Sequence, residues 1–321
     1  MDLRGGFLGQ SWHSFIGHFL AIFTIVVWGS TFSATKALLE DFAPAEILFI
    51  RFALAYIFLA LLCHRGIAFE RGKKELLFIG AGLSGSCLYF LLENIALTLT
   101  NASNASLLVA INPITTALLL RLFFGKKFGR FFVLGFVIVF VGISLVVFNG
   151  NFSVQISPLG DMLCILAGRV WSVYTIILER LFSAYRGSNP IAMTRRIFFY
   201  GLVFTLPFAL YQSGFLSGIL DGILDGENFG ANLSAISESS RYLKPSNLAN
   251  LLFLGLVASA LCYLSWNACL KRLGTLKASA YIYAIPVVGV FIATITLGEP
   301  LTPYLIIGGI LTLLGLFVSQ K

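Results

Sequence analysis

Two stretches of the sequence decide the fold: NASLLVAINPITTALLLRLFFGKKFGRFFVLGFVIVFVGISLVVF (residues 104–148) and KASAYIYAIPVVGVFIATITLGEPLTPYLIIGGILTLLGLFVS (residues 277–319). Each contains two apolar runs joined by a short connection. A shift of 173 residues superimposes Ala105-Ser106 on Ala278-Ser279, Pro113 on Pro286, Gly125 on Gly298, Gly135 on Gly308 and Gly142 on Gly315. Because one offset serves two runs and the loop between them, the sequence predicts an internal repeat.

The repeat extends upstream, where Leu76–Gly80 matches Leu251–Gly255 at a shift of 175. The apolar runs of the whole chain predict ten spans, at 15–38, 44–63, 76–98, 104–124, 131–149, 158–180, 191–212, 249–271, 277–297 and 302–319. Each half then has five spans, so the second half must enter the membrane from the opposite side. We therefore predict inverted repeats, a layout that many secondary transporters use for alternating access.

The composition of the chain requires a membrane. Of its 321 residues 58% are hydrophobic and 11% are charged, with a mean hydropathy of +0.91, whereas a soluble domain carries about 25% charged residues. A helix that crosses the bilayer needs roughly 20 apolar residues, and such runs follow one another almost end to end. The predicted fold is an all-α integral membrane protein of ten helices, with five-helix repeats at 15–149 and 158–319 and an extracytoplasmic loop at 213–247.

Lysine and arginine residues predict the orientation of this fold. They concentrate in alternate connections, those between spans 2 and 3, 4 and 5, 6 and 7, and 8 and 9, which the positive-inside rule assigns to the cytoplasm together with both termini. The same rule accounts for the net charge of +8, so nucleic-acid binding is not expected. The five cysteines form no CxxC pair and are interpreted as small apolar packing residues.

Charged side chains inside the spans are the first candidates for function, since each costs about 2.5 to 3.5 kcal/mol at a helix centre. Arg51 and Arg169 lie deep in the second and sixth spans, whereas Lys36, Glu179 and the Arg195-Arg196 pair are near predicted ends. Glu93 is an acidic residue within an otherwise apolar span. A carboxyl group in a low-dielectric site can carry a proton, so Glu93 is the candidate coupling residue; alternatively it neutralises Arg51 or Arg169, or lies among interfacial water.

Aromatic and amide side chains form a second set. Trp28 and Trp171 occupy the first span of each half, so both are expected to face the centre. For any one member packing is the simpler interpretation, but together they predict a substrate cavity lined by the first, third, fourth, sixth, eighth and ninth spans. The predicted substrate-binding residues are Trp28, Phe32, Tyr89, Glu93, Asn94, Asn112, Trp171, Tyr174, Trp266, Asn267, Tyr281 and Tyr283.

Several motifs of catalysis and energy coupling are missing from the sequence. It has no GxxxxGK[ST] phosphate loop, no HExxH and no GxSxG, and its three histidines lie near predicted membrane ends. ATP-driven transport, a bound metal, a cofactor and an enzymatic activity are therefore not expected.

The order of short motifs along the chain resembles the EamA family of the drug/metabolite transporter superfamily. The matching residues are Trp28-Gly29-Ser30-Thr31-Phe32, Arg51, Glu93-Asn94-Ile95-Ala96-Leu97, Ala105-Ser106-Leu107, Pro113 and Gly298-Glu299-Pro300-Leu301-Thr302. The resemblance implies a carrier, often an exporter, of small metabolites such as amino acids, located in a bacterial inner membrane. Two features depart from the pattern: Gly125-Lys126-Lys127 replaces the acidic form of the loop in the first half, and the 213–247 segment is long.

The sequence thus predicts a secondary transporter that works by alternating access, with the lipid bilayer and a small molecule as partners and the proton as the candidate coupling ion. A multidrug or nucleotide-sugar carrier of the same superfamily is an alternative. A strongly anionic substrate would require a cluster of basic side chains, which only Arg51 and Arg169 offer. A multi-pass membrane enzyme lacks convergent catalytic groups, and a receptor would not need inverted halves. The substrate, the transport direction and the oligomeric state are left open.

Overall fold

The computed structural model describes residues 3–69, 72–100, 105, 108, 112–127, 129–148, 157–213, 239–297 and 302–319. Within these ranges the chain is helical and forms no strand. The major helices are α1 (Leu3–Leu38), α2 (Pro44–Leu62), α3 (Lys73–Leu99), α4 (Asn112–Phe124), α5 (Arg130–Phe148), α6 (Pro158–Ala184), α7 (Pro190–Gln212), α8 (Pro245–Leu273), α9 (Thr275–Ala280, Tyr281–Ala284 and Ile285–Leu297) and α10 (Pro303–Ser319).

These helices confirm the predicted all-α membrane fold. Six of them contain apolar segments long enough to cross a bilayer: Trp12–Leu38, Pro44–Leu62, Lys73–Leu99, Pro158–Ala184, Pro190–Gln212 and Pro245–Leu273. Shorter apolar helices cover Asn112–Phe124, Arg130–Val146 and Pro303–Ser319. Ten as the number of spans stays a prediction. Residues 214–238 of the predicted loop and 298–301 of the Gly-Glu-Pro-Leu motif lie outside the described residues.

Proline begins several helices and interrupts others. It is the first residue of α2, α6, α7, α8 and α10, where its missing amide hydrogen costs nothing because the first turn has no intrahelical acceptor to use. In α7 the side chain of Asn189 also accepts a hydrogen bond from the amide of Ile191 at 2.9 Å. In α9 a 3-10 turn, Tyr281–Ala284, precedes Ile285 and Pro286.

Helices α5 and α10 cross closely through the glycines that define the repeat. A Cβ atom on Gly135 would lie 2.6 Å from the carbonyl oxygen of Gly315, and one on Gly142 would lie 2.7 Å from that of Gly308. The earlier glycine of one helix thus meets the later glycine of the other. This pairing means that α5 and α10, which the 173-residue shift superimposes, run antiparallel, and it explains why glycine is needed at the crossing.

The two parts of the chain, residues 15–149 and 158–319, pack against each other around a common core. Helix α1 packs against α8 and α9, α2 against α7 and α8, and α6 against α3 and α4. Gly29 of α1 approaches Gly289 of α9, and the hydroxyl of Thr116 in α4 donates a hydrogen bond to Ser172 of α6 at 3.1 Å. Because each part contributes helices to the packing of the other, the space at the centre is enclosed by both.

Helices α3 and α8 each contain a π-helical segment. The segments are Leu83–Leu88 in α3 and Phe253–Leu261 in α8. The shift of 175 residues that matches Gly80 to Gly255 places the first segment on residues 258–263, so the two overlap. Such segments are often found at functional sites because they free backbone carbonyl groups and change the direction of side chains.

Candidate substrate cavity

A cavity lies where α1, α2, α3, α4, α6 and α9 meet. The space open to water-sized molecules is about 30 Å³, within about 450 Å³ free of protein atoms that includes the open mouth. Both parts of the chain line it, with residues Trp28, Thr31, Phe32, Arg51, Tyr89, Phe90, Glu93, Asn112, Trp171, Ile282 and Ile285. The walls are mainly aromatic and aliphatic, with one threonine, one asparagine, one arginine and one glutamate among these lining residues. Such a mixture is typical of a small-molecule site, in which a few polar groups fix the ligand's orientation.

The first spans of the two predicted repeats meet at this cavity through their tryptophans. The rings of Trp28 and Trp171 lie edge to face with their centroids 5.4 Å apart. The indole nitrogen of Trp28 donates a hydrogen bond to the carbonyl oxygen of Ala258 at 3.0 Å, and Ala258 belongs to the π-helical segment of α8. Tyr89 packs on Trp171 with a centroid distance of 4.9 Å. The aromatic wall therefore joins both parts of the chain.

Arg51 is the cationic residue of the cavity. It lies within α2, and its side chain is almost fully buried, at 2% exposure. Its Nε donates a hydrogen bond to the hydroxyl of Ser259, in the π-helical segment of α8, at 2.9 Å, and its guanidinium carbon lies 4.4 Å from the ring centre of Phe90. Within the described residues the two terminal nitrogens have no hydrogen-bond partner. The guanidinium is thus held by one edge while its terminal nitrogens stay available.

Glu93 is the anionic residue of the same cavity. It is buried in α3 and accepts a hydrogen bond from the hydroxyl of Tyr89, one turn earlier, at 2.9 Å. Glu93 and Arg51 are near enough to interact electrostatically. However, among the ion pairs that the structure describes none joins them. The two opposite charges share the cavity without neutralising each other by direct contact.

Asn112 enters the cavity at the start of α4 and is fixed by its contact with α6. A Cβ atom on Gly168 would overlap the side-chain oxygen of Asn112, so the close approach requires glycine at that position. Asn112 precedes Pro113 and is 4% exposed. The residue that corresponds to it after the 173-residue shift, Ile285, lines the cavity as well.

Several predicted site residues lie behind the cavity wall. Tyr174 is fully buried and packs on Trp171 at a centroid distance of 5.1 Å. Trp266 is also fully buried and contacts Trp28 at 5.3 Å. The amide of Asn94 donates a hydrogen bond to the carbonyl oxygen of Pro44 at 3.2 Å, and that of Asn267 donates one to the hydroxyl of Thr194 at 3.1 Å.

The remaining candidates are not among the described residues that line the cavity. Tyr281 is hydrogen-bonded to the Nδ1 atom of His18 at 2.5 Å. Tyr283 belongs to a separate core cluster with Val139 and Ile143 of α5. Arg169 is exposed on α6. The structure thus brings seven of the predicted residues together, namely Trp28, Phe32, Arg51, Tyr89, Glu93, Asn112 and Trp171.

Four lining residues were missed from the sequence: Thr31, Phe90, Ile282 and Ile285. A signal existed for Ile285, because the repeat superimposes it on Asn112. The predicted contribution of the eighth span also differs from the arrangement seen. Among the described residues that line the cavity none comes from α8. Instead Ala258 and Ser259 of α8 accept hydrogen bonds from Trp28 and Arg51.

Polar clusters tie the helix ends on one side of the membrane. The carboxylate of Asp41, after α1, accepts hydrogen bonds from Lys244 at 2.8 Å and from Asn247 at 2.7 Å. Glu46 forms an ion pair with Arg241 at 2.7 Å. Hydrogen bonds from Asn247 and Lys244 lower the pKa of Asp41. Because the pKa in the folded state is lowered, this carboxylate keeps its partners at neutral pH and loses them only on acidification.

Polar contacts also tie the opposite side, where the basic connections lie. Arg196 of α7 forms an ion pair with Glu75 of α3 at 2.7 Å, and Tyr200 donates a hydrogen bond to the same carboxylate at 2.5 Å. Lys126 forms an ion pair with Glu179 at 2.5 Å. The Gly125-Lys126-Lys127 loop departs from the family pattern. This contact gives it a structural role, since it links the end of α4 to α6.

Comparison with known proteins identifies the family. The model of the EamA-like transporter family matches the chain twice, over residues 15–148 and 158–320. An uncharacterised transporter of Archaeoglobus fulgidus is 28% identical over 94% of this chain and 96% of its own length. A probable amino-acid metabolite efflux pump of Salmonella typhimurium is 27% identical over 94% of this chain and 93% of its own length.

A solved structure shares the fold over nearly the full length. This crystal structure aligns with a TM-score of 0.66 at 18% identity, and the alignment covers 96% of this chain and 95% of the other. The names of the family and of the relatives are those of transporters, which confirms the prediction that the chain is not an enzyme. The chain belongs to the EamA-like transporter family, whose model covers almost all of it in two consecutive matches.

Proposed function

We propose that this transporter exports small metabolites such as amino acids by alternating access through the central cavity. The observation that carries the proposal is the cavity itself, which both parts of the chain line and which contains a buried arginine and a buried glutamate. A charged side chain within a span is costly and marks a substrate or ion pathway. The name of the Salmonella relative, an amino-acid metabolite efflux pump, supports the substrate class.

Inverted repeats at 15–149 and 158–319 supply the moving parts of this mechanism. The antiparallel crossing of α5 and α10 supports the inversion, because the two helices correspond in the repeat. The exchanged contacts of α1 with α9 and of α6 with α4 support it as well. Two units of the same design and opposite direction can exchange conformations, which alternately opens the space between them to either side.

By the positive-inside rule, the basic connections support a cytoplasmic location for the termini and for the ends of α2, α4, α6 and α8. The family resemblance supports a bacterial inner membrane. By their positions along α2, α3 and α1, Arg51, Glu93 and Phe32 are nearer the predicted extracytoplasmic helix ends than Trp28 and Trp171 are. Tyr174 and Trp266 are fully buried on the cytoplasmic side of that pair. The burial of these two side chains supports our assignment of this conformation to a state with the cytoplasmic route closed.

Glu93 is the proposed coupling residue, because its carboxylate lies in the cavity with a tyrosine hydroxyl as its hydrogen-bond partner. Glu93→Gln keeps the size and the hydrogen-bond acceptor but cannot exchange a proton. With purified protein in liposomes and a panel of labelled amino acids, we expect an imposed proton gradient to drive flux in the wild type. In the Glu93→Gln variant the gradient is expected to have no effect.

The controls separate coupling from transport. Exchange of labelled for unlabelled substrate without a gradient shows whether the variant still carries solute. Flux in the wild type that does not respond to the gradient would reject proton coupling and leave an exchanger or a facilitator. Absence of flux for every solute in the panel would reject the proposed function, the export of small metabolites such as amino acids.

A further inference from the structure

The guanidinium of Arg51 is buried but only partly bonded. One hydrogen bond, from Nε to Ser259, and the ring of Phe90 hold it in place. The two terminal nitrogens have no hydrogen-bond partner within the described residues, although the side chain is only 2% exposed and lines the cavity. A buried cation with unused donors is costly. Its planar pair of terminal nitrogens has the geometry that binds a carboxylate through two parallel hydrogen bonds.

Glu93 offers the complementary half of a binding site. Its Oε1 accepts a hydrogen bond from Tyr89, and a carboxylate has room for further donors on both oxygens. A primary ammonium group carries three donors and a positive charge. Since Glu93 and Arg51 share the cavity without forming an ion pair, a ligand that carries both an anionic and a cationic group can lie between them.

Apart from Thr31, Asn112 and the hydroxyl of Tyr89, the rest of the cavity wall is apolar. Trp28, Phe32 and Trp171 form an aromatic side, and Ile282 and Ile285 form an aliphatic one. Such a wall favours an uncharged side chain, because a second charge would be buried without a partner. Arg51 is the single cation among the described lining residues, so a nucleotide sugar, which carries several phosphate charges, does not fit this site.

We propose that the cavity recognises the zwitterionic head group of an amino acid with an apolar side chain, through the terminal nitrogens of Arg51 for the carboxylate and Glu93 for the ammonium group. This inference rests on the proposed function and makes it more specific. In an amino acid the two charged groups are attached to one carbon atom, so both can be bound at one end of the cavity. The side chain then lies against the aromatic wall, where its contact area contributes to affinity.

The test removes one charged group of the ligand at a time. Purified protein is titrated with L-leucine, L-leucinamide and 4-methylpentanoate, and with L-phenylalanine, L-phenylalaninamide and 3-phenylpropanoate. Binding is followed by the change in tryptophan fluorescence, since Trp28 and Trp171 line the cavity. Loss of either charged group is expected to weaken binding by about 10- to 100-fold, the usual effect of losing a hydrogen bond to a charged group.

Variants assign each effect to one side chain. Arg51→Gln is expected to weaken binding of the amino acid but not of its amide, and Glu93→Gln to weaken binding of the amino acid but not of the deaminated acid. Arg51→Lys keeps the charge but loses the planar pair of donors, so it is expected to give an intermediate affinity. The matched control is Arg130→Gln, at an exposed position at the start of α5, which should leave all affinities unchanged.

The outcomes distinguish this inference from the proposed function. Equal binding of the amino acid, its amide and the deaminated acid would overturn the inference, as would variants that weaken all three ligands to the same extent. Liposomes that transport another solute while the protein binds neither amino acid would reject zwitterion recognition but leave a transporter. Absence of flux for every solute would reject the proposed function itself.

Discussion

Replacement of Gly308 by alanine is expected to destabilise the fold severely. The added Cβ atom would lie 2.5 Å from the carbonyl oxygen of Gly142 and 2.9 Å from the amide nitrogen of Val146. Both are backbone atoms of α5, which cannot rotate away as a side chain can. Overpacking costs up to roughly 3 kcal/mol, and more when nothing can move. We expect a large fall in the unfolding temperature of purified protein in detergent, or loss of monodisperse protein.

The adjacent glycine provides the matched control. A Cβ atom on Gly309 would meet only Val287, at 3.6 Å, which is an ordinary contact. The same substitution one residue along the helix is therefore expected to leave the unfolding temperature unchanged or slightly raised, since alanine restricts the unfolded chain more than glycine does. Equal unfolding temperatures for Gly308→Ala and Gly309→Ala would contradict the close crossing of α5 and α10.

Glu75→Gln is expected to have the second large effect. Arg196 and Glu75 have side-chain exposures of 8% and 13%, so their ion pair is largely shielded from water. Removing the negative charge leaves the buried guanidinium with the carbonyl oxygen of Ile67 and the ring of Phe69 as neighbours. Removing one partner of a buried pair typically costs about 3 to 5 kcal/mol. Thermal unfolding in detergent measures this loss.

A more exposed ion pair provides the control for the effect of burial on the unfolding temperature. In the Lys126–Glu179 pair the side-chain exposures are 40% and 25%, so water screens the charges and replaces the lost partner. Glu179→Gln should therefore lower the unfolding temperature much less than Glu75→Gln. If both substitutions lower it equally, the burial of the Arg196–Glu75 pair does not determine its contribution.

The internal repeat made much of the architecture readable from the sequence. The glycines at 135, 142, 308 and 315, which one offset aligns, are the residues at the close crossing of α5 and α10. The tryptophans of the two first spans were expected to face the centre, and the structure brings their rings to 5.4 Å. Symmetry thus gave long-range information that a single span does not contain.

The direction in which each side chain points was harder to predict. The spans are apolar on all sides, so no polar face reveals which residues turn inward. Tyr283 therefore looked equivalent to Tyr89, although it packs on α5 rather than at the cavity. Arg169 looked as deep as Arg51 but is exposed on α6. The π-helical segments of α3 and α8 also left no sequence signal, because packing and not local propensity selects that backbone.

A transporter that works by alternating access exposes the two sides of the Trp28–Trp171 pair in turn, and cysteine labelling measures this exposure. In a cysteine-free background, Thr31→Cys and Tyr174→Cys are labelled with a membrane-impermeant thiol reagent from either side. Without substrate we predict that Thr31→Cys reacts from the extracytoplasmic side and Tyr174→Cys from neither. During transport Thr31→Cys should become less reactive and Tyr174→Cys reactive from the cytoplasm. Reactivity of Tyr174→Cys that never changes, or reaction of both variants from the same side, would contradict the mechanism.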